Sequence, residues 1–198
     1  MDRHTVKRLI SETESKKVYV VADKTTGSNY FMEINQVSLD SNNLELIGAA
    51  FAPFHTNTVK CHKLANNDKE CIILMEYHQG KYSFVSVGTD LCSLIEDYKA
   101  KGQIIPETQV WKFIGDILFG LHFLHENKVT YRRIRPENVI VDYKGRARVK
   151  MDLENYSYKP YTSEELTNES YRCGNDMLSL GCIAYSLCTL EVHSLVTL

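Results

Sequence analysis

No stretch of this chain offers eighteen consecutive apolar residues, and after Met1 it reads Asp2-Arg3-His4-Thr5-Val6-Lys7-Arg8-Leu9 rather than an apolar run behind a basic start. A membrane span and a signal peptide are therefore not expected, and the expected location is cytoplasmic. Neither sign of charge is in excess: 23 Lys plus Arg stand against 25 Asp plus Glu, a formal net charge of −2. The basic surplus that sequence-blind nucleic-acid binding needs is missing, so neither nucleic acid nor a membrane is an expected partner. There is no paired C-x-x-C spacing among Cys61, Cys71, Cys92, Cys173, Cys182 and Cys188. Reduced, mostly buried thiols are the simplest reading of these. A zinc site built on Cys61 and His62, or a metal pair at His122 and His125, competes with plain packing or surface histidines. Repeats and low-complexity segments are absent too. What remains, 43% hydrophobic and 24% charged over 198 residues, is the composition of an ordinary globular chain with one domain or one domain in two lobes.

The first third has the period of strands. Val18 to Ala22 is β-branched and apolar, Thr25-Thr26-Gly27-Ser28 signals a turn, and Tyr30, Met32 and Ile34 share one face of the next run, which together predict a hairpin. A helix is expected over about Leu44 to Phe54, weakened by Gly48 and Pro53, and Cys71 to Tyr77 reads as a buried strand. Beyond residue 78 the period lengthens. Thr89 or Asp90 caps a helix ending near Lys101-Gly102. Pro106-Glu107 opens a second, with Val110, Phe113, Ile114, Ile117, Leu118, Leu121 and Leu124 at spacings of three and four. Val139-Ile140-Val141 and Ala147 to Met151 flank a turn at Asp142 to Gly145, and Met177 to Leu190 predicts a buried helix. Strands first and helices after make an α+β arrangement.

Several strings then fall in one family's order. Tyr131-Arg132-Arg133-Ile134-Arg135-Pro136-Glu137-Asn138, just after the long helix, resembles the protein-kinase catalytic loop H-R-D-L-K-P-E-N. Val18-Tyr19 and Tyr30-Phe31-Met32 resemble the first hairpin ending Y-A-M-K. His55-Thr56-Asn57-Thr58-Val59 is similar to H-P-N-I-V, Met75-Glu76-Tyr77 to gatekeeper and hinge, and Asp176 to Cys182 to D-x-W-S-L-G-C. The segment from Thr89-Asp90-Leu91 to Ile105-Pro106-Glu107 and Trp111 most resembles the NIMA-related (Nek) branch. The resemblance implies a single two-lobed domain over 1–198, with a β-rich small lobe over 1–78 and a partial helical lobe over 79–198. It also implies a fold cut short after the helix at Asp176, leaving Leu187, Leu190, Val192, Leu195 and Val196 poorly covered.

Function sits in particular residues, and many of these are changed. The three lid glycines are replaced by Ser11, Thr13 and Lys16, so backbone amides are not expected to close over phosphates. Glu33 holds the place of the strand lysine. A carboxylate about 4 Å from a phosphate oxygen would repel it by roughly 4 kcal/mol at an effective dielectric near 20. Phe31 replaces the alanine that lies against adenine, and the lysine's glutamate partner falls at Leu46, with Glu45 beside it. Arg133 replaces the aspartate base; a guanidinium has no acceptor and stays protonated, so no catalytic residue is expected there. Asn138, a magnesium ligand in the family, is present. At the D-F-G site, Leu153 holds the aspartate position, with Asp152 one residue early unless the hairpin is shifted.

The expectation from these losses is a non-enzyme, a catalytically inactive protein-kinase-like domain that binds protein partners, with an active kinase or a cytoskeletal scaffold as candidates and no cofactor. Decay of a duplicated gene is the plainer account of the same losses. Tyr156, Tyr158 and Tyr161 offer an aromatic contact patch or packing in a short segment. The alternative is an unorthodox Ser/Thr kinase using ATP and Mg. Lys16 would then stand at the third glycine position, where With-No-Lysine kinases supply their phosphate-binding lysine. Lys16, Glu76 and Asn138 would contact the cofactor, and Asn138 and Asp152 the metal.

Overall fold

The computed structural model describes residues 3–36, 48–49, 51–66, 69–77, 89–153 and 169–191. Five antiparallel strands come first: β1 (His4–Glu12), β2 (Lys16–Asp23), β3 (Asn29–Asn35), β4 (Cys61–Asn66) and β5 (Cys71–Glu76), in the order β1-β2-β3-β5-β4. The β2–β3 hairpin closes because the Asp23 carboxylate accepts from the N–H groups of Thr25 and Thr26, and Gly27 takes φ +71°, where a side chain would be strained. The expected helix near residue 50 is present at 48, 49 and 51, with Ala52 N–H donating to the Gly48 carbonyl; the rest of it lies outside the described residues.

A second sheet joins β6 (Thr89–Asp90), β7 (Val139–Val141) and β8 (Ala147–Val149). Around it pack α1 (Leu91–Ala100), α2 (Glu107–Glu126) and α3 (Glu169–Thr189). Asp90 caps α1 by accepting from Ser93 N–H at 2.8 Å, and Gly102 at φ +61° ends it. Val110, Phe113, Ile117, Leu121 and Leu124 form the buried stripe of α2, whereas Leu118 points outward. At Gly120 a Cβ would lie 2.6 Å from the Asn57 carbonyl oxygen, so only glycine lets α2 touch the loop before β4. One continuous core runs from Val20, Phe31 and Ile73 in the first sheet through α2 to Leu180, Ile183 and Leu187.

Three expectations change. Two strands, β1 and β4, were not foreseen. Helix α3 begins eight residues before Met177 and is buried on one face only: Leu178, within the stretch expected to be buried, is 59% exposed because it lies on the outer face, with Tyr185. Leu187, expected to be poorly covered, is 1% exposed because it faces the core with Ile183, and Leu190 is partly buried against the same cluster. Val192, Leu195 and Val196 lie outside the described residues. No helix among those described is long and apolar enough to cross a membrane.

Candidate active site

The catalytic-loop string lies between α2 and β7 and is fixed from below. Asp176, fully buried on α3, accepts from the Tyr131 N–H at 2.8 Å and meets His125 Nε2 at 2.7 Å with the same oxygen. These are charge-assisted bonds in a dry place, the strong kind. Tyr131, also fully buried, sends its hydroxyl to the Lys150 carbonyl at 2.7 Å. Between these anchors Arg132 takes φ +76°, a strained conformation that the surrounding bonds sustain. Arg133 follows, half-buried in the base position.

Arg135 introduces a short 3-10 turn, Pro136–Asn138, whose last residue is buried. Asn138 Nδ2 donates to Asp152 Oδ2 at 2.7 Å, and an Arg135 guanidinium nitrogen lies 3.4 Å from the same oxygen. Asn138 and Asp152 thus meet despite the register question at the D-F-G site. Leu153 is buried in the core instead. Asn138 also accepts, through its carbonyl, the Lys150 N–H at 2.8 Å. The Lys150 backbone is therefore held on both sides, by Asn138 and by Tyr131.

The phosphate side of the cleft is rebuilt around Glu33. This carboxylate, 1% exposed, has Lys16 Nζ 3.5 Å from Oε1 and Lys150 Nζ 3.5 Å from Oε2. Burial works to lower the Lys150 pKa, but the attraction of Glu33, then of Asp152, outweighs it and the net direction is above the ordinary lysine value. The loop before Lys16 is closed on itself: Thr13 N–H donates to the Lys16 carbonyl at 2.8 Å, and Lys16 N–H donates to Thr13 Oγ1 at 3.1 Å. Those amides are committed, as the missing glycines suggested.

On the base side, Phe31 is buried with its ring 4.9 Å from that of Tyr77. The Glu76 side chain turns away from the cleft. Its Oε1 accepts from the Lys60 N–H at 2.6 Å and from the buried guanidinium of Arg148, which also donates to the Thr58 carbonyl at 2.6 Å. Leu46, Glu45 and the three tyrosines at 156, 158 and 161 lie outside the described residues.

Sequence reasoning missed Lys150 and Arg148. Lys150 stood in view as part of the Val149-Lys150-Met151 register marker, but nothing in a linear string says that its ammonium reaches β3. His62 stacks edge-on against Tyr30, and burial pushes the Cys61 thiol up to about 11. No cluster of three or more His, Cys, Asp or Glu fit for a metal exists among the described residues.

The family model described as Protein kinase domain matches residues 6–194. The human serine/threonine-protein kinase Nek11 is 27% identical over 201 residues, covering 92% of this chain and 29% of its own length. The mouse serine/threonine-protein kinase Nek5 is 27% identical over 210 residues, covering 96% of this chain and 31% of its own. Cyclin-dependent kinase B2-2 of Arabidopsis thaliana is 26% identical, with 96% and 70% covered. The chain thus spans under a third of the length of these two Nek relatives.

These relatives overturn the expectation of a non-enzyme, because they are named as serine/threonine-protein kinases, which are enzymes. The physical reason lies at Glu33. The expectation treats the new carboxylate as bare, whereas in the fold it sits between two lysines. With a five-stranded antiparallel sheet ahead of the helices, a catalytic loop anchored on a buried aspartate, and a family match across nearly its whole length, the chain belongs to the protein kinase family.

Proposed function

We propose that this domain binds ATP between its lobes and transfers the terminal phosphoryl group to a serine or threonine hydroxyl of a protein substrate, with Lys16 replacing the absent strand lysine. The observation that carries this reading is Lys16 Nζ at 3.5 Å from Glu33, which brings a cation from the start of β2 to the place of the absent lysine on β3. A carboxylate that would repel phosphate alone is offset by its neighbours. Phosphoryl transfer asks little covalent chemistry of the protein and depends mainly on positioning and charge. Loss of an aspartate base at Arg133 therefore lowers the rate, by about two to four decades, without removing the reaction.

The divalent cation of the reaction fits the residues present. Asn138 and Asp152 lie side by side and supply an amide and a carboxylate, and magnesium is held by one or two carboxylates together with substrate phosphates. When bound, it would neutralise charge on the phosphate oxygens. Arg135, with a guanidinium nitrogen 3.4 Å from Asp152 Oδ2, helps hold that carboxylate in place.

A transfer assay with γ-labelled ATP and a mixed protein acceptor tests the reading. The chain should incorporate label slowly, and Lys16→Met and Asn138→Ala should each abolish incorporation while leaving the unliganded melting temperature within a few degrees. Absence of any thermal stabilisation at millimolar ATP with magnesium would refute the proposal, since an occupied site must raise stability by RT ln(1 + [L]/Kd).

A further inference from the structure

We infer that Lys150 is a second phosphate-binding cation of the cleft, held there with Lys16 by Glu33 acting as a positioning residue, so that the task of one strand lysine is divided between two. The inference deepens the function proposed above and concerns the same site.

Charge is the first reason. Two ammonium groups share one carboxylate, one on each oxygen, so the three groups carry a surplus positive charge. Asp152 also attracts Lys150, but it is shared with the Arg135 guanidinium 3.4 Å away, so it offsets that surplus only in part. A surplus charge in a place this dry is costly unless an anion completes it. Phosphate is the anion that a kinase-type cleft would present.

Geometry is the second. Lys150 is 17% and Lys16 23% exposed at the side chain, so both are partly covered yet reachable. At 3.5 Å each ammonium stands at the outer limit of hydrogen-bond distance from Glu33. An ammonium has three donors, so attraction to the carboxylate leaves others to serve phosphate oxygens. The third reason is rigidity. Lys150 is clamped at its N–H by Asn138 and at its carbonyl by Tyr131, so its side chain leaves a point fixed against the catalytic loop. Lys16 leaves the first residue of β2 and Lys150 the residue just after β8, and both reach β3. Such an arrangement grips a chain of phosphates from two sides.

Tripolyphosphate, ATP and adenosine, each titrated against the intact chain by thermal shift and calorimetry, separate this inference from the reading beneath it. The wild type should bind tripolyphosphate and ATP and prefer both to adenosine. Lys150→Met should weaken tripolyphosphate and ATP by about tenfold or more, and leave adenosine unchanged. Lys150→Arg should keep most of the affinity, which guards against a methionine variant that fails to fold. In Glu33→Gln the loss should appear in the phosphate ligands and not in adenosine, which a purely structural role would not produce. Tripolyphosphate binding that is equal in wild type and Lys150→Met, or no such binding in the wild type, overturns the inference. Wild-type binding of tripolyphosphate without ATP would sustain the two-lysine site and refute the nucleotide reading.

Discussion

Two buried carboxylates of this cleft, Asp176 under the catalytic loop and Glu33 on β3, hold charge in opposite ways. Under the catalytic loop, Asp176 is buried completely and bonded at 2.7 and 2.8 Å to groups fixed by helix and loop. On the phosphate side, Glu33 is also buried, but its partners stand 3.5 Å off on long side chains. Tight bonds to the backbone define where the loop sits, and changing one partner there leaves an amide unsatisfied. Loose ion pairs between side chains can be redistributed, because a flexible lysine arriving from another strand supplies the same charge. The anchor thus keeps the family's aspartate at Asp176, while the phosphate side carries its positive charge on different residues.

The largest effect that probes this contrast is expected at the anchor. Asp176→Ala should lower stability by about 4 kcal/mol in urea unfolding, because Tyr131 N–H and His125 both lose an ionised acceptor in a dry site. A loss no greater than that of Glu33→Gln would erase the distinction between tight and loose. Next comes Phe31→Ala. Removing a buried phenyl ring should destabilise the chain by about 3 kcal/mol, yet it opens the base side of the cleft and should raise affinity for ATP. Stability and binding would then move in opposite directions on the rewritten side, whereas at the anchor they fall together; weaker ATP binding in this variant would sharpen the contrast away.

The smallest expected effect is at high pH. The folded-state pKa of Lys150 lies above the ordinary value of 10.5, so its contribution is fully present below that pH and is lost as pH rises through the folded value. Unfolding midpoints of the wild type should therefore fall more steeply above pH 10.5 than those of Lys150→Met. Parallel slopes would mean that Lys150 gains nothing from Glu33.

Much of this was legible from the residues. The period of α2, the Asp90 cap, the glycine turns and the Asp176 anchor follow from local chemistry or from motif order, and the fold confirms each. What escaped has a physical cause. Strand β1 is exposed along nearly its whole length and carries two register shifts against β2, so it shows no alternation to read. Strand β4 is short and half exposed, like its neighbouring turns. The family resemblance turns Leu178 inward, and only packing decides that it lies on the uncovered face of α3. The Glu33 cluster was missed for a different reason: its members sit at positions 16, 33 and 150, and no spacing rule links them.

Arg148 has a mechanical consequence. It rises from the second sheet and holds, with one buried guanidinium, the Thr58 carbonyl in the loop before β4 and the Glu76 carboxylate at the end of β5. Drawing the end of β5 away from β8 therefore means parting a buried guanidinium from the Glu76 carboxylate, so a single side chain latches the two sheets together on this side.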